Sequence, residues 1–388
     1  MKRRRKMKVL AIGIAFLAAL ISVDLASAAE LVAVYTTESI TLDGNPSEAA
    51  WSKAEAIEIP VAGGVGATTV TLKALYDDSN IYLLARWLDE SKTESVKIGW
   101  IYKNGKWEKY VDPVTGRSEE DRFGIQWAIG EVEGFASMGC LALCHPGNAE
   151  WKESGNRMHT RNPGERTDEW HWKAGRSNPL GVFHDKYIDN AVDPENAEAG
   201  HHSDDKGFYA RNRNAVKTGP EYIEKSSSDS EDSIFLFQEE VSGNEVVPVA
   251  TLSGGIAEGT FVPGFILDPS KTQSDVANPK VRGIFSDGYW TLEIKRALKT
   301  GSDKDVQFDT QGTHYFGVAV FDNSGHEPQH AFQVGVNTLR FAPKSASAPS
   351  PASATTTSPA PKKGVCGPTA ILFLAALPLI FRVGRRRK

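Results

Sequence analysis

Two cysteines and a histidine stand close together in a chain with three cysteines in all, at Cys140, Cys144 and His145. Covalent haem attachment uses two thiols, which add to the vinyl groups of the porphyrin, and an adjacent histidine that binds the iron. The usual spacing leaves two residues between the cysteines, whereas this chain has three. The cluster therefore predicts a c-type haem. The alternatives are a local disulfide and a zinc site, for which His159 and His171 would be further ligands.

The segments that must position this cluster read as β-strands. Val, Ile, Phe, Tyr and Trp recur in them with the two-residue alternation of a half-buried strand. Asp78 and Ser79 separate the first two segments in the pattern of a hairpin turn. No segment shows sustained helical periodicity, so we predict an all-β fold, an antiparallel β-sandwich over residues 30–341. The predicted strands span residues 69–77, 80–87, 122–129, 289–295, 315–321 and 332–341.

The middle of the chain, residues 147–231, differs from these segments because it is polar and rich in Asn, Asp, Gly, His and Lys. Ordered loops of this length in a compact domain usually have a function. We therefore expect long loops that cover a site at one end of the sandwich. Within them, alternation places Trp170 and Trp172 on one face, as core or pocket wall, and His171 and Lys173 on the other.

The first 28 residues have the pattern of a secretory signal peptide. A basic start is followed by an apolar run over residues 9–23 and by the small-residue sequence Ala26-Ser27-Ala28. The apolar run is short for a membrane span. We expect cleavage near Ala28 and export of the remainder.

The C-terminus has a pattern of its own. Residues 342–363 are rich in Ser, Ala, Pro and Thr and predict an extended stalk. Residues 364–388 follow with Cys366-Gly367-Pro368, about 12 apolar residues and a basic end, which resembles archaeal C-terminal sorting signals. The resemblance implies processing at the cell surface with lipid on Cys366. We expect the protein to be held by this segment at the outer face of the cytoplasmic membrane.

The segment between these ends is acidic. Residues 30–361 carry 48 of the 49 acidic residues and 31 of the 44 basic ones, a net charge near −17. Such a surface argues against a nucleic-acid partner. It favours solubility and attraction to a basic partner protein.

Several stretches resemble the haem-binding domain of ethylbenzene dehydrogenase. Phe135–Cys140 (FASMGC) and Trp170–Ala174 (WHWKA) lie around the cysteine cluster, and Gly288–Arg296 and Phe316–Asn323 resemble two late strands of the family. Ile40–Gly44 is similar to the start of a wider group of sandwich domains that includes carbohydrate-binding modules. The family is the gamma subunit of this enzyme and of related molybdenum oxidoreductases for dimethyl sulfide, chlorate and selenate.

The resemblance implies a b-type haem held between a methionine and a lysine. The family's methionine falls on Met138. Its lysine falls within residues 322–330, which here contain no lysine and offer His330 first and His326 second. A methionine–lysine pair is therefore not expected in this chain.

The cysteine cluster is absent from the b-type subunits, so the chain looks like a c-type relative. We expect thioether bonds from Cys140 and Cys144. The expected axial ligands to iron are His145 and His330, with Met138 as the competitor of His330. Lys173, or else Arg176, would pair with a haem propionate, because a carboxylate at a partly buried edge needs a cation.

These expectations favour electron transfer by a surface-anchored haem protein that is not itself an enzyme. Its partner would be a redox protein, either a molybdenum oxidoreductase or another cytochrome. The first alternative is the b-type electron-transfer subunit of a molybdenum oxidoreductase. The second is a sugar-binding sandwich module, in which Trp151, Trp170 and Trp172 would form a stacking platform.

Overall fold

The computed structural model of the chain describes part of its length. The predicted signal peptide, Cys144, His145, Trp151 and His326 lie outside the described residues, as do residues 345–388, which hold most of the stalk and the whole sorting segment. The described residues are 29–94, 99–111, 116, 119–143, 158–192, 199–204, 207–225, 235–272, 279–324 and 330–344.

One sheet of 13 strands forms the body of the fold. Its strands are β1 (Glu30–Tyr35), β2 (Ile57–Val61), β3 (Thr68–Tyr76), β4 (Asn80–Leu88), β7 (Arg122–Ile129), β8 (Arg166–Lys173), β9 (His184–Val192), β10 (Ala199–Ser203), β17 (Lys280–Ser286), β18 (Tyr289–Ala297), β19 (His314–Phe321), β20 (Ala331–Phe332) and β21 (Asn337–Phe341). They follow one another in the order β10-β9-β8-β7-β19-β21-β1-β3-β4-β18-β17, and in addition β2 pairs with β3 and β20 pairs with β19.

Aromatic contacts show that the two halves of this sheet face each other. The Trp172 ring of β8 lies 4.8 Å from the Trp290 ring of β18, and Trp87 of β4 stacks on Phe123 of β7 at 5.1 Å. All four side chains are buried in one apolar core between the layers. The predicted all-β sandwich is therefore confirmed.

Smaller elements surround the main sheet. Three small sheets consist of β11 (Tyr209–Arg211), β13 (Leu236–Phe237) and β16 (Phe265–Leu267); β12 (Tyr222–Glu224) and β14 (Val246–Pro248); and β5 (Trp100–Lys103), β6 (Lys106–Lys109) and β15 (Phe261–Val262). The helices are α1 (Phe135–Met138), α2 (Gln238–Gly243) and the 3₁₀ turns Ala49–Ser52, Gly139–Leu143, Asn178–Leu180, Val249–Thr251 and Pro269–Lys271. In the described part of the chain, no helix has the length and apolarity that crossing a membrane requires.

The predicted strands correspond closely to β3, β4, β7, β18 and β19. Two features differ from the prediction. The sheet is not wholly antiparallel, because β1 pairs in parallel with both β21 and β3. The last predicted strand, residues 332–341, is divided into β20 and β21, with Gly335 at a positive φ of 100° between them.

The expectation of loops across residues 147–231 is wrong for the described residues there. This segment supplies β8, β9 and β10 to the main sheet, and β11 and β12 to the smaller ones. Because polar side chains line a cavity on one face of β8 and β9, the segment is polar in composition although its strands are well paired.

Candidate functional site

A cavity of about 370 Å³ lies against the face of β7, β8, β9 and β19 that is turned away from the core. Ligand pockets in proteins typically measure about 300–1,000 Å³. Alternation along the strands separates the two faces: Trp170 and Trp172 point into the core with no exposed surface, and Glu169, His171 and Lys173 line the cavity. The two tryptophans are core residues and cannot form a stacking platform for a sugar.

Small residues keep the floor of the cavity open. Gly124 of β7 pairs with Ala319 of β19 on one side and with His171 of β8 on the other. A Cβ atom placed on Gly124 would meet no other atom within 4 Å. The strand therefore leaves a gap at its centre, in which a flat group could lie against the sheet.

Two histidines that line the cavity, His171 and His330, contact the same aromatic ring. Phe321 stacks on His171 at 5.4 Å and lies 4.7 Å from the ring of His330. Neither ring nitrogen of His171, nor Nδ1 of His330, has a hydrogen-bond partner among the described residues, although Glu169 Oε1 lies 3.4 Å from Nδ1 of His171.

Burial lowers the pKa of both rings. Lys173 and Arg122 lower the pKa of His171 further, well below its usual value, and Arg122 adds to the effect on His330. Both imidazoles are therefore neutral near pH 7. A neutral imidazole is the form that ligates metals.

Cys140 reaches the cavity from the short helical segment that follows β7. A Cβ atom on Gly317 of β19 would lie 3.6 Å from Cys140 Sγ, so the thiol lies directly over the sheet. Gly139, with a positive φ of 59°, makes this approach possible, since a Cβ there would lie 2.3 Å from the carbonyl oxygen of Gly335. Phe135 and Leu143 are buried and fix the segment on both sides.

Four basic side chains line the cavity: Arg122, Lys173, Arg176 and Lys186. Lys173 is buried, and its Nζ contacts Nδ1 of His184 and lies 3.2 Å from the hydroxyl of Tyr209. Burial, with the charges of Arg176 and Lys186, lowers the pKa of Lys173 well below its usual value. Such a group gains from a bound anion, which would restore its charge.

Acidic side chains balance part of this charge. Arg176 forms a buried ion pair with Glu120. Glu169 lies 2.6 Å from Nε2 of His201. Burial alone would raise the pKa of Glu169, but His201 and Lys186 lower it to about 2, so the carboxylate is ionised.

The structure brings together some of the predicted site residues and not others. Cys140, Lys173 and His330 line one cavity, as does Arg176. Met138 does not line it: its side chain is 38% exposed at the end of α1, and Met158 lines the cavity instead. Cys144 and His145 lie outside the described residues.

Sequence reasoning assigned no role in this site to Glu169, His184, Lys186 and His201. The signal was present in the alternation of β8 and β9, which places Glu169 with His171 and His184 with Lys186 on the cavity face. His171 was assigned only as an additional ligand for zinc. Among the described residues lining the cavity, no three histidine, cysteine or carboxylate ligand atoms lie within 4.8 Å of one another.

Comparisons with known proteins cover this region. A family model described as ethylbenzene dehydrogenase matches residues 46–331, a range that contains every residue lining the cavity. No curated protein matches the chain.

Solved structures also match the chain. A carbohydrate-binding module of family 9 from Caldicellulosiruptor kristjanssonii, in complex with glucose, has 8% identity and a TM-score of 0.33 over 83% of this chain and 100% of that chain. A protein from Bacteroides uniformis described as carbohydrate-binding has 9% identity and a TM-score of 0.35 over 81% and 100%.

Proposed function

We propose, from the premise that the chain belongs to the ethylbenzene dehydrogenase family, that it binds a haem in the cavity between Cys140 and His330 and transfers electrons. The family is associated with an oxidoreductase as a subunit. One observation carries the proposal: the Cys140 thiol, the neutral imidazoles of His171 and His330 and four basic side chains line one cavity whose floor is left open by Gly124.

The donor set fits a haem in three respects. Cys140 is placed for a thioether bond, with Cys144 as the second thiol of the sequence cluster. His330 offers an imidazole nitrogen at the cavity, whereas Met138 does not line it, which favours His330 as the axial ligand. Lys173 and Arg122 are placed to pair with carboxylates such as the propionates.

The protein's own groups then set the properties of the site. A bound haem supplies a one-electron iron couple, and the protein tunes its potential. Neutral imidazole ligation would place that potential below the one expected with Met138 as ligand, because thioether sulfur favours ferrous iron. The surrounding cations act in the opposite direction by stabilising the reduced, more negative state.

The location and partner follow from the sequence patterns. We infer that the signal peptide exports the chain and that residues 364–388 hold it at the outer face of the membrane. The acidic surface suits a basic redox partner, either a molybdenum oxidoreductase or another cytochrome.

A pyridine haemochrome spectrum of the full chain tests the proposal, after maturation in a host that assembles c-type cytochromes and extraction with acidified acetone. We expect a c-type α-band and haem that stays on the protein. Haem that is extracted with a b-type band would support the b-type subunit instead. Protein without haem would refute both.

Two variants locate the haem. Cys140→Ala should lose one of the two thioether bonds and move the haemochrome α-band toward the b-type position, and His330→Ala should change the Soret and α-bands because an axial ligand is lost. His314→Ala is the matched control, since His314 is partly buried like His330 but does not line the cavity. Unchanged spectra in both cavity variants would place the haem elsewhere.

A further inference from the structure

Three aspartates meet at one end of the sandwich. Asp89 follows β4, Asp121 precedes β7 and Asp322 follows β19. One carboxylate oxygen of each lies within 4.8 Å of the other two. Because β4 and β7 belong to facing layers, the cluster joins the two layers.

Neutral donors hold these carboxylates in place. Asp121 accepts hydrogen bonds from the backbone of Thr93 at 2.6 Å and of Asn323 at 3.0 Å, and from the Trp290 indole at 3.0 Å. Asp89 Oδ1 accepts one from the backbone of Ser91 at 3.0 Å. These bonds orient the oxygens without neutralising their charge.

The second carboxylate oxygen of Asp89 has no positively charged partner among the described residues. Asp89 is 5% exposed, and its Oδ2 has no hydrogen-bond partner among the described residues. Neither Asp89 nor Asp121 forms an ion pair with a lysine or arginine that the structure describes. A buried, unpaired carboxylate costs several kcal/mol by order of magnitude, so such a group is either protonated or bound to a cation or a metal.

A second aspartate trio in the same protein shows the contrast. Asp168, Asp185 and Asp305 also lie close together and buried. There Arg296 Nη2 lies 3.4 Å from a carboxylate oxygen of both Asp168 and Asp305. The protein thus supplies its own cation to that trio, whereas no lysine or arginine that the structure describes pairs with Asp89 or Asp121.

We propose that Asp89, Asp121 and Asp322 bind a divalent cation, and specifically Ca²⁺. An all-oxygen ligand set from carboxylates is typical of Ca²⁺ sites, and backbone carbonyls and water complete their coordination. A bound cation would offset the cost of burying the Asp89 carboxylate close to two other carboxylates.

The site has a consequence for the cavity described above. Arg122 and Phe321, which line that cavity, are the immediate sequence neighbours of Asp121 and Asp322. A cation bound by the trio would therefore fix one corner of the cavity wall. Cation binding by the three aspartates does not require haem in the cavity.

The test is titration of Ca²⁺ into the full chain after treatment with a chelator, followed by calorimetry, equilibrium dialysis and thermal unfolding. We expect one Ca²⁺ per chain, a higher Tm with Ca²⁺ and weaker binding of Mg²⁺. Asp322→Asn and Asp89→Asn should each weaken Ca²⁺ binding by at least about tenfold. Asp287→Asn, which removes an exposed carboxylate nearby, should leave the binding unchanged.

Two outcomes would overturn the site. One is a wild-type chain that takes up no Ca²⁺ in dialysis and keeps the same Tm. The other concerns Asp89→Asn: in the presence of chelator the variant is more stable than wild type, and Ca²⁺ still raises its Tm. This result would mean that the three aspartates share protons and do not bind the ion. If Asp89→Asn fails to fold, the partly exposed Asp322 and the wild-type dialysis still decide the question.

Discussion

Gly124 determines how much room the cavity has above the sheet. A side chain there would extend beside Ala319 and His171 into space that contains no other atoms within 4 Å of the new Cβ. We expect Gly124→Leu to lose most of its haem while the free energy of unfolding of the haem-free chain changes by less than about 0.5 kcal/mol. The haem-to-protein ratio and urea unfolding measure the two effects.

Gly254→Leu is the matched control, because Gly254 also has open space around its Cβ position. Full haem loading in Gly124→Leu would place the cofactor away from this part of the sheet.

Asp168 makes stability depend on pH. Burial raises its pKa to about 7, against the lowering effect of Arg296 and with a further increase from Asp305. Between pH 3.8 and about 7 the folded chain keeps this proton and the unfolded chain loses it, so the free energy of unfolding falls as pH rises through that interval.

We expect Asp168→Asn to flatten this fall. Urea unfolding at pH values from about 4 to about 7 compares the slopes. Asp303→Asn removes an exposed carboxylate on the surface and should keep the wild-type slope. An identical slope in Asp168→Asn would contradict the assignment.

The kinds of residue in the site could be predicted from the sequence. Which of them lie together in one cavity could be predicted only in part. Cys140 and His330 are 190 positions apart in the printed sequence and still line one cavity. Met138 was expected beside them because the methionine of the resembling family falls on it. Its direction depends on how a four-residue helix ends at Gly139, and that turn is decided by the distant backbone of Gly335.

The segment that carries Cys140 depends on its contact with the chain between β20 and β21. Gly139→Ala would place a Cβ 2.3 Å from the Gly335 oxygen at a positive φ. We expect a loss of about 1–3 kcal/mol in the free energy of unfolding and reduced covalent haem attachment. Urea unfolding and the haemochrome spectrum measure these changes.

Gly130→Ala is the control that separates backbone strain from the steric clash with Gly335. Gly130 also has a positive φ, of 71°, but no atom lies within 4 Å of its Cβ position. Equal losses in the two variants would mean that contact with Gly335 does not position Cys140.

The two faces of β8 should respond oppositely to truncation. Trp170 has no exposed surface, so Trp170→Ala should cost about 3–5 kcal/mol of unfolding free energy. The neighbouring His171→Ala should cost far less, because the ring nitrogens have no described hydrogen bonds, and should instead alter the haem spectrum. Urea unfolding of both variants checks the contrast. A large stability loss in His171→Ala would indicate a structural role.

The same two faces explain where prediction of the elements failed. Strands such as β3 and β4 alternate between apolar and polar residues and were predicted with accurate ends. In β9, His184 and Lys186 line a cavity instead of meeting solvent, and Asp185 is buried on the core side beside Arg296 and Asp168. Polar residues on both faces conceal a strand from any pattern based on hydrophobicity.

The net charge of the molecule is negative, whereas the cavity contains a group of basic side chains. Residues 30–361 have a net charge near −17, yet four basic side chains line the cavity. We expect the rate of electron transfer to a small cationic oxidant to fall with ionic strength, and the rate to an anionic oxidant to rise, because salt screens the acidic surface. Stopped-flow kinetics at several salt concentrations measures both rates. A reversed pair of trends would mean that the cations of the cavity control access.

The parallel pairing of β1 with β21 has a mechanical consequence. Glu30 lies beside Thr338 and Ala33 beside Phe341, so the two strands run in the same direction. Tension applied before β1 and after β21 would pull these strands lengthwise past each other and load their hydrogen bonds together, because the pulled ends are at opposite ends of the pair. Antiparallel neighbours at the same positions would open one bond at a time. The fold thus resists stretching between its first and last strands.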